Sequence, residues 1–265
     1  MDALERGDEW WERRPEKARG SLADPVPIDK AISFFQKALE EDPASLEAHW
    51  RLIRALFFRG EYAAVDIDEK KSFFESGKAA GENAMAVIRQ TGTKKDRPKK
   101  EPVLELVRWV KHSTAIASCF LWSGVNWGKW AVTFGKLAAV RQGAGERIKD
   151  LATAAIELDP LLEDAGGYRL LGRLHFETPS IPFLTGWASH EEAILNLRKA
   201  VELGPRSLIN KQYLAEALWE FEPGNRQEAL ALLKEVIGAK PASDLLIEER
   251  RSQEEARALL AAWKR

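Results

Sequence analysis

Four histidines, His49, His112, His175 and His190, are the residues best suited to proton or metal chemistry, and their spacing forbids the commonest arrangement. No two stand four apart around a glutamate, so the HExxH pattern, which puts two imidazoles and a general base on one helix face, is absent. Asp66 and Asp68 in VDIDEK could bind a cation, but the stretch lacks the glycine and distal glutamate of a calcium loop. The one cysteine, Cys119, can neither close an internal disulfide nor build a multi-thiolate site, and in AIASCFLW it reads as a small buried hydrophobe. Neither GxGxxG nor GxxxxGKS/T occurs, which removes the common phosphate-binding loops. The sequence therefore predicts no enzyme, no cofactor and no metal.

Composition narrows what remains. With 265 residues, 45% of them hydrophobic, the chain can bury a substantial core. Its 40 basic and 41 acidic residues leave a net charge of -1, so no general attraction to nucleic acid or to an anionic membrane is expected. The start, MDALERGDEWWERR, carries acids where an export signal would have a basic start and an apolar run, which makes the cytoplasm the expected compartment. The longest uncharged stretch, 113–128, is shorter than the roughly 20 apolar residues of a spanning helix and is expected to be a helix buried inside the protein.

The elements that would present a binding site show themselves as repeats. AISFFQKALEEDP (31–43), IKDLATAAIELDP (148–160), AILNLRKAVELGP (193–205) and ALALLKEVIGAKP (229–241) share a small or aliphatic first residue, Ala or Val at position eight, and a proline twelve residues after the start. That is the pattern of the second helix of a tetratricopeptide unit. Small residues at helical spacing admit a neighbouring helix, and the proline stops the run. First helices are visible at 46–62, with Leu52 and Gly60, and at 166–177, with Leu171 and Gly172. The expected fold is an all-α, tetratricopeptide-like solenoid of about five helix pairs plus a C-terminal capping helix from Leu246 to Trp263, one domain over residues 1–265.

First-helix positions that face the concave side of such a solenoid select Trp50, Arg54, Phe57 and Phe58 in the second pair, Arg169, Arg173 and Phe176 in the fourth, and Gln212, Glu216 and Trp219 in the fifth. Aromatic bodies with guanidinium heads suit a peptide or an anionic ligand, since arginine offers a carboxylate a bidentate fork. The competing expectation is that the arginines pair with internal acids such as Glu47 and Glu163. Trp122, Trp127 and Trp130 are expected either to pack between helices or to line a cavity, with Gly124 and Gly128 marking close approach or open space.

Two insertions interrupt the pattern. Residues 91–102, with five basic residues and two prolines, read as a mobile solvated loop. Residues 178–188 form an apolar loop between Gly172 and Ala193, nine residues longer than the turn of the second pair. Its run of Ile181, Pro182, Phe183, Leu184 and Trp187 must pack on something. Either it seals the gap between the third and fourth pairs, or it walls the site beside Arg173 and Trp122, with Phe183 and Trp187 touching what is bound. Ser189 and Glu192 after it read as a capping box.

FLWSGVNWGKWA (120–131), AIELDPLLEDAGGYRLLGRLHFETP (155–179) and FLTGWASHEEAILNLRKAVEL (183–203) resemble the T component associated with tripartite ATP-independent periplasmic (TRAP) transporters. The likeness runs from about Asp29 to ARALLAAW. It implies a helical tetratricopeptide-like protein that associates with a partner protein, the substrate-binding component of such a transporter. Members are typically exported lipoproteins, so a truncated start would place the chain in the periplasm. A small apolar or anionic ligand held in a cavity, or a general peptide-binding scaffold, is the alternative role, and homo-oligomerisation stays open.

Overall fold

The computed structural model describes residues 1–91, 102–178 and 185–263. Most of the helices form five antiparallel pairs: α1 (Ala3–Glu12) with α2 (Pro25–Glu41), α3 (Leu46–Phe58) with α4 (Ile67–Thr91), α6 (Thr114–Phe134) with α8 (Ala144–Leu158), α9 (Leu162–Glu177) with α10 (His190–Leu203), and α11 (Leu208–Phe221) with α12 (Arg226–Gly238). Short helices α5 (Val103–Val107) and α7 (Lys136–Arg141) flank α6, and α13 (Leu246–Trp263) packs on the last pair. The repeat reading and the capping helix hold. No helix among the described residues is long and apolar enough to cross a membrane.

The eight small or aliphatic positions that define the repeats are all buried: Ala31 and Ala38, Ile148 and Ala155, Ala193 and Ala200, Ala229 and Val236. Close helix contact explains why they are small. Gly172 makes the point within one pair, since a Cβ there would sit 2.6 Å from Leu197 and 3.1 Å from the Ala193 carbonyl. Serine caps set the helix starts, with the hydroxyls of Ser45, Ser113, Ser189 and Ser207 each accepting a backbone N–H of the first turn. The uncharged stretch is the body of α6, and its residues from Ala115 to Leu121 are buried throughout.

Several local expectations need correction. The 46–62 helix changes to a π-helical turn over Arg59–Ala63. Phe58 is core rather than concave, buried against Trp11 and Tyr62, because adjacent helical residues point about 100° apart and Phe57 takes the inner side. The capping box is half formed: Ser189 Oγ accepts from Glu192 N, but Ser189 N donates to His175 Nδ1. Before the regular part of α9, Glu163, Asp164 and Ala165 are left-handed, with φ of 51°, 53° and 61°.

The ends of the superhelix meet. Arg14, between α1 and α2, binds Glu248 of α13 at 3.2 Å and also its neighbour Asp244 through the carbonyl, while Ser21 bonds Glu254 and accepts from Arg251. The inner face of the helix stack is thereby partly closed off.

Candidate functional site

The inner face carries a network of charges and rings contributed by α3, α6, α9, α11 and α13. Lys129 of α6 bonds Glu61 of the π turn at 2.8 Å. Burial alone would raise the Glu61 carboxyl, but Lys129 overcomes this and holds it below the usual carboxylate range. Arg173 of α9 bonds Glu216 of α11 at 2.7 Å and Glu177 at 2.7 Å, with its guanidinium over the rings of Phe176 and Tyr213. Beside them a cleft of about 520 Å³ opens between Lys129, Arg173, Gln212, Glu216 and Glu255. It is mixed in charge, and its acids already have basic or amide partners: Gln212 donates to both Glu216 and Glu255.

Arg169 and Arg54 differ from Arg173. Arg169 donates to the Glu163 carbonyl at 3.2 Å and to Asn210 Oδ1 at 2.9 Å, and burial pushes its pKa down. Arg54 forms no ion pair among the described residues. Its guanidinium carbon lies 3.8 Å from the centre of the Trp11 ring and 4.6 Å from that of Trp50, and its Nε is buried without a hydrogen-bond partner. Desolvation lowers it to about 10, with Glu163 acting in the other direction. One turn further along α3, Phe57 packs against Trp122, whose Nε1 is likewise buried without a partner.

The expected pairing of arginines with internal acids is thus divided. Glu47 is taken by Arg51, which also bonds Asp8, and Glu163 offers its carbonyl rather than its carboxylate to Arg169. Arg54 is left to the rings.

Trp50, Arg54, Phe57, Trp122, Arg169, Arg173 and Phe176 are brought to this inner side. Trp219 stacks flat on Trp263 of α13, with centroids 4.3 Å apart, and so joins the capping helix to the last pair. Trp127 is elsewhere. It lies in the core with Trp130, between Lys78 of α4 and Arg147 of α8, because offsets of five and eight from Trp122 carry the two rings to another side of α6. Gly124 marks close approach, since a Cβ there would meet Leu170 at 2.7 Å. Trp187 packs edge-on against His175 and over Gly145 and Lys149 of α8, which places it at the seam between the third and fourth pairs. Phe183 lies outside the described residues, as do Ile181, Pro182, Leu184 and nearly all of 91–102. Cys119 is buried, and burial pushes its thiol pKa up.

Residues that the pattern did not pick out are Trp11, Tyr62, Lys129, Asn210 and Glu255. Trp11 lies on α1, where no repeat motif is visible. Lys129 stands in plain view inside WGKW, but its partner Glu61 comes from the turn after α3, 68 residues away in the chain.

His175 carries a pH dependence. Its Nδ1 accepts the Ser189 N–H at 3.2 Å, so the ring is neutral in the folded chain, and burial lowers its pKa. A depressed histidine contributes stability in full above its unfolded value of about 6.5, and that contribution is lost as pH falls through the folded value. The melting temperature is therefore expected to drop as pH falls below about 6.5, and His175→Asn, whose amide oxygen can accept the same bond, should flatten that drop. Identical profiles for the two proteins would show that His175 is not the group responsible.

No protein-family profile matches the chain, and no curated protein is detectably similar. Among solved structures it is similar to TTC0263, a thermophilic TPR protein in Thermus thermophilus, with a TM-score of 0.52 and 15% identity over 98% of this chain and 96% of that one. The fold is that of a tetratricopeptide-repeat protein. MamA gives a TM-score of 0.46 at 16% identity, covering 96% of this chain and 93% of that one. YrrB, described as a TPR protein with an unusual peptide-binding site, gives 0.40 at 14% identity, covering 88% and 84%.

Proposed function

We propose that this tetratricopeptide-like chain, read as one solenoid domain over residues 1–265, is a non-enzymatic binding module. Its inner face would engage a carboxylate-bearing segment of a partner protein, in a role like that of the T component of TRAP transporters, with a solute-binding protein as the partner. The observation that carries the reading is Arg54. Arg14, Arg51, Arg59 and Arg173 are each matched to a carboxylate, and Arg169 to a carbonyl and an amide oxygen. Arg54 is desolvated between Trp11 and Trp50 without one. A guanidinium prepared in this way gains a charge-assisted hydrogen bond when an anion arrives and loses little further hydration. Trp50, Phe57 and Trp122 supply apolar contact beside it.

The contact of α13 with Arg14 and Ser21 supports a second reading, because partial closure of the inner face favours a small anionic or apolar molecule over a long peptide. Both readings place the bound anion at Arg54.

Affinity purification from the native host, run in parallel with wild type and Arg54→Ala, separates them. A solute-binding protein should co-purify with wild type and fall about tenfold or more with Arg54→Ala, in line with a charge-assisted hydrogen bond of roughly 1.5–3 kcal/mol. Equal recovery would remove Arg54 from the interface. A small acid identified by mass spectrometry, with no protein partner, would favour the second reading.

A further inference from the structure

The corner where α6 passes into α7 is exposed, apolar and cationic. Four of the eleven large hydrophobic residues that are exposed among the described residues lie within nine consecutive positions: Val132, Phe134, Leu137 and Val140, with Leu137 exposed to 77%. Glycines with positive φ, Gly135 at 91° and Gly143 at 62°, bracket α7, and a Cβ at either would meet nothing within 4 Å among the described residues. The helix therefore projects as a short rib, held down by Ala138 and Ala139, which pack on the core.

Helical geometry orders the outward residues of this rib. At about 100° per residue, Lys136, Val140, Leu137 and Arg141 follow one another across an arc of roughly 140°. Two aliphatic side chains are thus flanked on each side by a cation. Neither Lys136 nor Arg141 forms an ion pair among the described residues, and no Asp or Glu occurs between Glu105 and Glu146. Acids on α4 and at the start of α8 are already bound: Glu75 by Lys78 and Trp130, Glu82 by Arg147, and Glu146 by Lys149.

We propose that this corner docks on an anionic lipid surface, with Leu137, Val140 and Val132 entering the headgroup boundary while Lys136 and Arg141 meet lipid phosphates. Cations bordering a small apolar tip are the arrangement that an interfacial element uses. The tip is convex, so a folded protein partner would need a matching cavity, whereas a bilayer accommodates it without one. The net charge of -1 does not oppose this, because the interaction is local on the scale of a screening length of about 8 Å at physiological ionic strength.

The test is co-sedimentation of the full chain with vesicles of phosphatidylglycerol mixed with phosphatidylcholine, against phosphatidylcholine alone. Binding is expected on the anionic vesicles, weakened by salt. Charge reversal in Lys136→Glu with Arg141→Glu should reduce partitioning by about tenfold or more, since each cation near such a surface contributes roughly 1 kcal/mol. Leu137→Ser with Val140→Ser should also reduce it. All four positions are exposed, so an unchanged circular dichroism spectrum is expected for both variants. No binding, equal binding to both vesicle types, or full binding by either variant overturns the proposal. So does an oligomer that Leu137→Ser with Val140→Ser dissociates without any change in vesicle binding, because the patch would then be a contact between copies.

Discussion

Replacing Lys129 by alanine is expected to destabilise the fold by about 2–3 kcal/mol, less than the roughly 3–5 kcal/mol seen when a fully sealed ion pair loses one partner. The difference follows from exposure: Lys129 keeps 31% of its side-chain surface and Glu61 only 14%. Once the ammonium is gone, Glu61 keeps only the attraction of Lys70 and Arg251 against its burial. Burial then raises its pKa. Glu61→Gln in the same chain should recover most of the loss, because a neutral amide needs no counter-charge there. The sign with pH is fixed by both partners. Glu61 lies below its ordinary value and Lys129 above its own, so the pair's contribution is full at neutral pH, falls as acid passes the depressed Glu61 value, and falls again as alkali passes the raised Lys129 value. Denaturant melts of the two variants check this. A Lys129→Ala protein as stable as wild type would show the pair to be merely a surface contact.

What could be read in the sequence was whatever repeats. Ala193, Ala200 and their counterparts recur at fixed spacing because each must admit a neighbouring helix, so the five pairs and the α13 cap were legible. The site was legible only where one helix determined it. Arg54, Phe57, Arg169 and Arg173 follow from the concave positions of a first helix. Trp127 and Trp187 did not, because a ring's side depends on which neighbour it meets, and α8 captures both. Arg54's isolation could not be foreseen either. It depends on Arg51 taking Glu47, and on Trp11 arriving from a helix that shows no repeat signature.

Asn210 governs the least regular part of the backbone, and its loss should be the costlier change. Left-handed geometry costs a non-glycine residue about 1–2 kcal/mol, and Glu163, Asp164 and Ala165 adopt it in succession. Something must hold them. Asn210 is fully buried at the start of α11, where its amide donates to the Asp164 and Ala200 carbonyls at 2.8 Å and lies 3.4 Å from that of Gly204. Its Oδ1 accepts from Arg169, which in turn donates to the Glu163 carbonyl. One side chain therefore ties the left-handed turn to two neighbouring elements and sets an inner-face arginine. Asn210→Ala should destabilise by about 2–4 kcal/mol, from several buried carbonyls and one guanidinium left short of partners. Asn210→Asp should be no better, since it turns a carboxylate oxygen toward those carbonyls. If strain in the turn is what the amide opposes, Ala165→Gly should relieve part of it, and the two changes together should cost less than their separate effects predict. Strict additivity in that double-mutant cycle would mean that Asn210 satisfies carbonyls without restraining the left-handed turn.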